Sequence, residues 1–401
     1  MLPIKMLALK KDKVGKFILN NLGNIVLFAV LFGAFKKVIL SENYIRGTLI
    51  DYTLIKIYIS SFIFLLIILY FLRLFLKKIF CLVTVFILIL VNILFSQNPL
   101  FSLIYLFNYL PILIFFLMFS SYKFSLSYKL VFLVNLIYIG VFIIQLKTST
   151  SFFPYLPFGF FKYAGVSPNL DFFSFFGTKV VLPIANFPHA NVFAAFLSFL
   201  NISHFYNKKI YFLFINLILV TVLSSFASIL FNIVLLVWYI KAYVPVSLPK
   251  KYLTWILFFL ISLSSLYFFS FSGFKFVSIS ERISQLQVFL YIIAQYPLFG
   301  IGLNNSISSI NLFEVYKGSV FVLQPIHNIF LLLLLEGGLF TTSLIVLFLY
   351  KQKNLLKITP YLVFIFILGS FDHYFLTLYQ GLVVFALTIL LHKSIINNSN
   401  V

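Results

Sequence analysis

A series of apolar runs, separated by short basic segments, constrains this chain more than any other feature. A transmembrane helix needs about 20 mostly apolar residues, and many of the runs reach that length. Only 9% of the residues are charged, whereas soluble domains carry about 25%. Because water does not solvate so apolar a surface, we predict an all-α, polytopic integral membrane protein with a single membrane domain over residues 1–401.

The lengths of the runs predict about twelve transmembrane helices. They are expected at 20–40, 53–76, 79–96, 99–119, 126–146, 188–206, 209–225, 226–243, 252–272, 327–350, 358–371 and 374–392. Most of the 29 Lys and Arg residues fall on the cytoplasmic side of this layout when the N-terminus is cytoplasmic. Both termini are therefore predicted to lie inside, with the membrane lipids as partners. The formal net charge of +21 serves orientation, so nucleic acid is not an expected partner.

Two longer connections are predicted to be loops on the outer face. The first spans 147–187 and is rich in Pro, Gly and Phe, which indicates a position along the membrane interface. The second spans 273–326 and contains an expected amphipathic interfacial helix at 281–296, which a proline ends. Gly300 and Gly302 follow that helix and allow a tight turn or a close backbone approach.

Two residues on the outer face are candidates for catalysis. His327 opens a long apolar run, and an imidazole accepts a proton near neutral pH, so it can act as a general base. Arg282 is one of three arginines, and its planar charged fork suits contact with phosphate. The alternatives are an interfacial histidine at a helix start for His327, and a salt bridge or lipid-headgroup contact for Arg282.

Other polar residues on the same face are candidates for substrate binding, although caps and polar turns are alternative roles. They are Asn328, Gly300, Gly302, Asp372, His373, His189, Lys179 and Lys317. Glu336 lies inside a predicted span, where a carboxylate is costly, and we expect it to be a structural polar pin between helices. Gly337 and Gly338 would let another helix approach it. His204 and His392 fall at inner helix ends and are expected to be interfacial.

Four motifs follow one another in a fixed order: Glu281-Arg282, the segment Tyr296-Pro297-Leu298-Phe299-Gly300-Ile301-Gly302, His327-Asn328, and Glu336-Gly337-Gly338-Leu339. With the large outer loop, they resemble the Arg, P-L-x-G-x-G, H-N and E-x-G elements of the O-antigen ligase and O-antigen polymerase family of bacterial membrane glycosyltransferases. Phe371-Asp372-His373-Tyr374 is similar to a weaker feature of the family.

This resemblance implies transfer of a glycan from an undecaprenyl-pyrophosphate donor to a hydroxyl of a saccharide, lipid or protein acceptor. The reaction would take place on the outer face of the bacterial inner membrane, in lipopolysaccharide or other polysaccharide biosynthesis, without a metal or cofactor. His327 would be the general base, and Arg282 would neutralise the pyrophosphate. Many members carry an S-R pair where this chain reads Leu-Ser-Ser-Phe-Ala-Ser at 223–228, so another cation such as Lys179 would have to replace that arginine. Ligase and polymerase activity both remain open.

Two alternatives come from different readings of the same membrane layout. A membrane glycosyltransferase of the general lipid-phosphate-sugar type would use acids of the first outer loop, here Glu42 and Asp51. A flippase or other transporter for lipid-linked glycans would need a polar path through the membrane, for which Glu336 is the main candidate. The chain has no Walker loop, H-E-x-x-H or G-x-S-x-G motif, so a nucleotide-driven pump, a metalloprotease and a serine hydrolase are unsupported.

Overall fold

The computed structural model describes most of the chain. The described residues are 13–33, 37–39, 44–45, 48–49, 56–148, 172–175, 178–181, 183–185, 187, 189–243, 273–307, 325–351 and 356–399. The helices are α1 (Lys13–Asn20), α2 (Leu22–Gly33), α3 (Ile59–Tyr70), α4 (Leu72–Leu94), α5 (Pro99–Phe119), α6 (Tyr128–Thr148), α7 (Ala190–Tyr206), α8 (Ile210–Val222), α9 (Phe226–Tyr243), α10 (Gly273–Gln295), α11 (Ile329–Lys351), α12 (Pro360–Phe371), α13 (Tyr374–Thr377) and α14 (Tyr379–Ser399).

Three short antiparallel strand pairs lie between helices. The strands are β1 (Lys37–Ile39), β2 (Tyr44–Ile45), β3 (Thr48–Leu49), β4 (Lys56–Tyr58), β5 (Phe172–Phe175) and β6 (Thr178–Val181). β1 pairs with β4, β2 with β3, and β5 with β6. β4 packs against the helices, since its Tyr58 is buried and stacks on Tyr379 of α14 with ring centroids 3.9 Å apart. The strands are only two to four residues long, which is consistent with the predicted all-α membrane class.

The predicted spans coincide at least in part with helices, except 252–272, which lies outside the described residues. Within the described ranges, five helices are long and apolar enough to cross a membrane, and the count is six if the bent pair α1–α2 is one span. A membrane-embedded helical protein is therefore supported, whereas the count of about twelve spans is not confirmed. The predicted interfacial helix is longer than expected, because α10 begins at Gly273 rather than at 281.

The predicted turn between the second and third spans is in the wrong place. Lys77 and Lys78 lie inside α4, and the chain instead breaks at Phe71, between α3 and α4. Phe71 is fully buried, and its ring packs edge-on against Phe119 with centroids 5.5 Å apart. The break therefore lies at a buried aromatic residue and not at the pair of lysines.

Helix α7 is the centre of the helical core. Helices α6, α8, α9, α12 and α14 pack around it. Asn201 of α7 donates to Asn232 Oδ1 of α9 at 2.5 Å and accepts from Asn216 Nδ2 of α8 at 2.8 Å. Since a buried amide without a partner is costly, these bonds fix the three helices at one depth.

The two histidines expected at the inner interface are instead buried. His204 is fully buried, with Nδ1 3.2 Å from the Tyr128 hydroxyl and its ring stacked on Phe212. His392 is also buried, with Nδ1 2.7 Å from Thr359 Oγ1. The expectation of snorkelling was wrong because neighbouring hydroxyl groups give both rings polar partners inside the protein.

Helix α11 is broken at Gly338, which has a φ of 65° and a ψ of −175°. The Pro297–Gly302 segment, which follows α10, crosses this break. Four backbone hydrogen bonds join the segment to α11: Leu339 N–H to Pro297 O (2.8 Å), Phe340 N–H to Leu298 O (2.9 Å), Ile301 N–H to Leu335 O (3.0 Å) and Gly302 N–H to Glu336 O (3.0 Å). Backbone groups freed by the break are thus paired inside the protein, as a low-dielectric surrounding requires.

Glycine is required on both sides of this crossing. Gly300 and Gly338 both have positive φ, the region that side chains rarely adopt. A Cβ on Gly338 would lie 2.3 Å from Leu298 O, and one on Gly300 would lie 2.5 Å from Leu335 O. The close approach predicted for Gly338 therefore occurs, but it is made by a turn segment rather than by a helix.

We expect Gly338→Ala to lower the thermal unfolding midpoint in detergent. The strained φ costs about 1–3 kcal/mol, and the clash with Leu298 O adds to it. Gly140→Ala is the matched control, because Gly140 lies in α6 with no atom within 4 Å of an added Cβ. That control should be neutral or should stabilise by up to about 1 kcal/mol. Equal midpoints for the two variants would contradict the importance of the helix break.

Candidate functional site

His327 lies just before α11, and Gln285 of α10 fixes its ring. Nδ1 of His327 is 2.9 Å from Gln285 Oε1, and the same oxygen accepts the His327 backbone N–H at 3.4 Å. A backbone N–H only donates, so the shared atom is an oxygen and Nδ1 must also donate to it. The neutral ring therefore has its proton on Nδ1 and its basic lone pair on Nε2.

His373 lies beside His327 in the connection between α12 and α13. The two ring centroids are 4.9 Å apart, and the planes are inclined by 75°. Nδ1 of His373 is 2.7 Å from Thr377 Oγ1, while that hydroxyl donates to the His373 carbonyl at 3.2 Å. With the hydroxyl proton donated to the carbonyl, Nδ1 of His373 is the donor to Thr377 Oγ1, as Nδ1 of His327 is to Gln285.

Asp372 completes a compact group with the two histidines. Its Oδ1 accepts the backbone N–H of His373 at 2.8 Å. One ligand atom from each of His327, Asp372 and His373 lies within 4.8 Å of the others. Two imidazoles and a carboxylate thus come together where the sequence predicted only separate polar residues.

His189 joins this group from α7 with its proton on the other nitrogen. It is the N-cap residue of that helix, and its Nδ1 accepts the backbone N–H of Asn191 at 3.1 Å. Nε2 of the neutral ring therefore carries the proton. In its protonated form, His189 lowers the pKa of both His327 and His373, so the three rings share one electrostatic environment.

Arg282 lies on α10, three residues before Gln285, and thus on the same face of the helix. Its charge acts on both His327 and His373. Its Nε is buried and has no hydrogen-bond partner within the described part of the chain. A buried guanidinium N–H without a protein acceptor suits an anionic ligand.

The surroundings keep the two central histidines neutral. Burial lowers the pKa of His327; the Asp372 carboxylate opposes this, and Arg282 and His189 add to the lowering. Burial also lowers the pKa of His373, well below the ordinary range, and its cationic neighbours act in the same direction. Near pH 7, His327 is therefore in the form that accepts a proton.

Asn328 holds the start of α11 against the end of α12. Its Oδ1 accepts the N–H groups of Phe330 at 2.9 Å and Leu331 at 3.0 Å, and its Nδ2 donates to Ser370 O at 3.1 Å. Asn328 thus has the helix-capping role that the sequence analysis gave as an alternative to substrate binding. These bonds hold His327 next to Asp372, and a role in substrate binding stays a prediction.

Gly300, Gly302 and Glu336 lie where the Pro297–Gly302 segment crosses the break in α11. An added Cβ on Gly302 would meet Ser96, just after the end of α4, at 2.3 Å. The Glu336 carboxylate accepts hydrogen bonds from the backbone of Asn304 and from the backbone and hydroxyl of Ser306. The Glu336 carboxylate therefore joins α11 to residues 304–306, of which Ser306 is helical, and the structural role expected of Glu336 stays a prediction. Substrate binding by the two glycines stays a prediction.

Four residues singled out in the sequence have no described side chain. Lys317, Glu42 and Asp51 lie outside the described residues. Lys179 pairs with Ser174 in the β5–β6 hairpin, but its side chain is not among those described. The roles predicted for these four residues stay predictions.

Gln285 and Thr377 were missed by the sequence analysis. Gln285 is buried on α10 beside Val288 and Phe289, and its one available signal was its spacing of three residues from Arg282. Thr377 follows His373 by one helical turn, which was the only hint of its contact.

Comparison with known proteins gives no match to a family model, to a curated protein or to a solved structure. The resemblance to the O-antigen family therefore depends on the quoted motifs alone. Function has to be argued from the chemistry of the site.

Acidification should lower the thermal stability of the protein through these buried histidines. Their folded-state pKa values lie below the ordinary value of about 6.5. The stabilisation is therefore complete above that pH and is lost as the pH falls toward the folded-state values. We expect the unfolding midpoint in detergent to fall between pH 8 and pH 5 less steeply in His327→Gln/His373→Gln than in wild type. Identical slopes would contradict burial of the neutral rings.

Proposed function

We propose that this protein is a membrane glycosyltransferase that moves a glycan from a polyprenyl-pyrophosphate donor to an acceptor hydroxyl, as the O-antigen ligases and polymerases do. One observation carries the proposal: a half-buried, neutral His327 with its lone pair on Nε2 shares an electrostatic environment with Arg282, whose buried Nε has no acceptor within the described residues. A base for a hydroxyl and a cation for a pyrophosphate are what this transfer needs.

In the proposed reaction, Nε2 of His327 takes the proton of the acceptor hydroxyl. The acceptor oxygen attacks the anomeric carbon of the donor, and the bond from that carbon to the pyrophosphate oxygen breaks. The leaving pyrophosphate keeps the electron pair, and Arg282 neutralises its charge. Because pyrophosphate is a good leaving group, positioning and charge stabilisation suffice, without a metal.

The surface of α10 supports a lipid-linked donor. The helix that carries Arg282 exposes apolar side chains on its outer face, among them Ile283 at 55%, Leu290 at 57% and Tyr291 at 54%. A polyprenyl chain or lipid tails can cover this face while the pyrophosphate reaches Arg282. Twelve spans, two cytoplasmic termini and a site on the outer face of the bacterial inner membrane are part of the proposal.

The segment at 223–228 borders this site, although it lacks the arginine that the resemblance implies. The Phe226 ring packs edge-on against Phe371, next to Asp372, with centroids 5.2 Å apart. Ser225 is buried and donates to Ser228 at 3.0 Å. We propose that a second cation from elsewhere, such as Lys179, contacts the donor.

The transporter alternative has less support. A transporter needs polar groups along a path through the membrane. Buried amides do occur in the core: Asn201, Asn216 and Asn232 bond to one another, and Asn135 is a separate buried amide with no hydrogen-bond partner among the described residues. The charged and imidazole groups gather instead beside the starts of α7 and α11 and the end of α12.

The test is donor turnover by purified protein in nanodiscs, measured as release of polyprenyl pyrophosphate. His327→Gln should reduce turnover about 10²–10⁴-fold, the usual contribution of general-base catalysis. Arg282→Ala should also reduce it strongly, and product size separates polymerase from ligase. His392→Gln is the matched control, because His392 is a buried histidine that is also bonded through Nδ1, to Thr359, outside the proposed site. Full turnover by His327→Gln would rule out this site.

The pH dependence of turnover gives a second test. Since the pKa of His327 is lowered, the acid limb of kcat/KM should lie below the ordinary imidazole pKa of about 6.5. Gln285→Glu places a carboxylate on Nδ1 and should shift that limb upward by about 1–3 pH units. Gln285→Leu should lower kcat because the ring loses its fixed orientation. An unchanged limb in Gln285→Glu would contradict His327 as the titrating base.

A further inference from the structure

We propose that His327, His373 and Asp372 form a binding site for a divalent transition-metal ion, with Zn²⁺ as the probe. Their three ligand atoms lie within 4.8 Å of one another. The set contains two imidazole nitrogens and one carboxylate oxygen. Zinc sites with an open position use three such protein ligands and leave the fourth to water or substrate.

The donor atoms select the class of metal. Imidazole nitrogen suits Zn²⁺, Co²⁺ and Ni²⁺, whereas Mg²⁺ and Ca²⁺ prefer sets of oxygen ligands. The site therefore discriminates against the abundant divalent cations. Asp372 supplies a negative charge, which offsets the opposing charge of Arg282.

The hydrogen bonds around both rings match those of metal-binding histidines. Such histidines donate the second ring N–H to a nearby oxygen, which fixes the tautomer and the ring orientation. Gln285 Oε1 accepts from His327 Nδ1 at 2.9 Å, and Thr377 Oγ1 accepts from His373 Nδ1 at 2.7 Å. In both rings, Nε2 is consequently the ligand atom.

His189 does not belong to the ligand set, although it lies in the same environment. Its Nδ1 accepts a backbone N–H from Asn191, so its Nε2 carries the proton and has no lone pair for a metal. This difference in tautomer gives a histidine that serves as a control within the site.

Binding requires a modest closing of the side chains. A tetrahedral ion with ligands at about 2.0–2.1 Å separates them by about 3.3 Å, against separations of up to 4.8 Å in the metal-free group. His327 and His373 lie on different segments, so rotation of their side chains about the fixed Nδ1 bonds brings the lone pairs together.

Metal binding has a consequence for transfer, and this consequence rests on the proposed function. The ion would occupy the Nε2 lone pair that His327 needs as a base. Zn²⁺ should therefore inhibit donor turnover, while the binding itself requires no transferase activity.

The decisive experiment titrates chelator-stripped protein in detergent with Co²⁺ and records its visible ligand-field absorption. Wild type should show a stoichiometric signal that Zn²⁺ abolishes and excess Mg²⁺ leaves unchanged. His327→Gln and His373→Gln should lose the signal, and Asp372→Asn should weaken it. His189→Gln and His392→Gln should keep it. An absent signal in wild type, or a signal that persists in both His327→Gln and His373→Gln, would overturn the proposal.

Variants of Gln285 and Thr377, which hold the two ligand histidines, distinguish an oriented metal site from nonspecific metal binding at the protein surface. Gln285→Leu and Thr377→Val leave the ligands in place and should weaken Co²⁺ binding about 10–100-fold. Unchanged affinity in both variants would overturn the proposed arrangement. If Co²⁺ binds as expected but Zn²⁺ does not inhibit turnover, the metal site stands and His327 is not the base.

Discussion

The crossing of the Pro297–Gly302 segment over the break in α11 at Gly338 holds the two halves of the candidate site together. Helix α10 carries Arg282 and Gln285, and α11 begins just after His327. In lipid, the backbone groups released by a broken helix need partners inside the protein. The segment supplies them through four backbone bonds. The break and the segment therefore depend on each other, and together they bring the arginine and the histidine to one place.

A second set of polar bonds fixes this crossing to the neighbouring helices. Asn92 of α4 donates to Glu336 O at 2.9 Å and accepts the Leu303 N–H at 2.8 Å. Ser102 of α5 donates to Leu303 O at 2.7 Å. Each of these groups would be costly if buried without a partner. The conspicuous polar residues of this region thus belong largely to the framework, and the histidines, Asp372 and Arg282 are the residues that we propose for the chemistry.

The sequence predicted those parts of the molecule that depend on local composition. Apolar runs identified the helices because hydropathy is read along the chain, and the motifs predicted that His327 and Arg282 act together. Tertiary packing could not be predicted from hydropathy or motifs along the chain. At the break, Phe71 packs against the ring of Phe119, which is far away in sequence, and the buried His204 contacts Tyr128 of another helix. Gln285 became visible only when its contact with His327 was known, because a lone Gln on a helix has no distinctive pattern.

The position of the proton on each histidine determines what the site can do. His327 and His373 donate through Nδ1 and offer basic nitrogens, whereas His189 accepts at Nδ1 and carries its proton on Nε2. One residue type thus provides both proton acceptors and a donor. A lone pair that accepts the proton of a hydroxyl is equally a ligand for a transition metal, and burial favours the neutral ring in both uses. Competition between proton and metal at His327 therefore follows from the same hydrogen bond to Gln285.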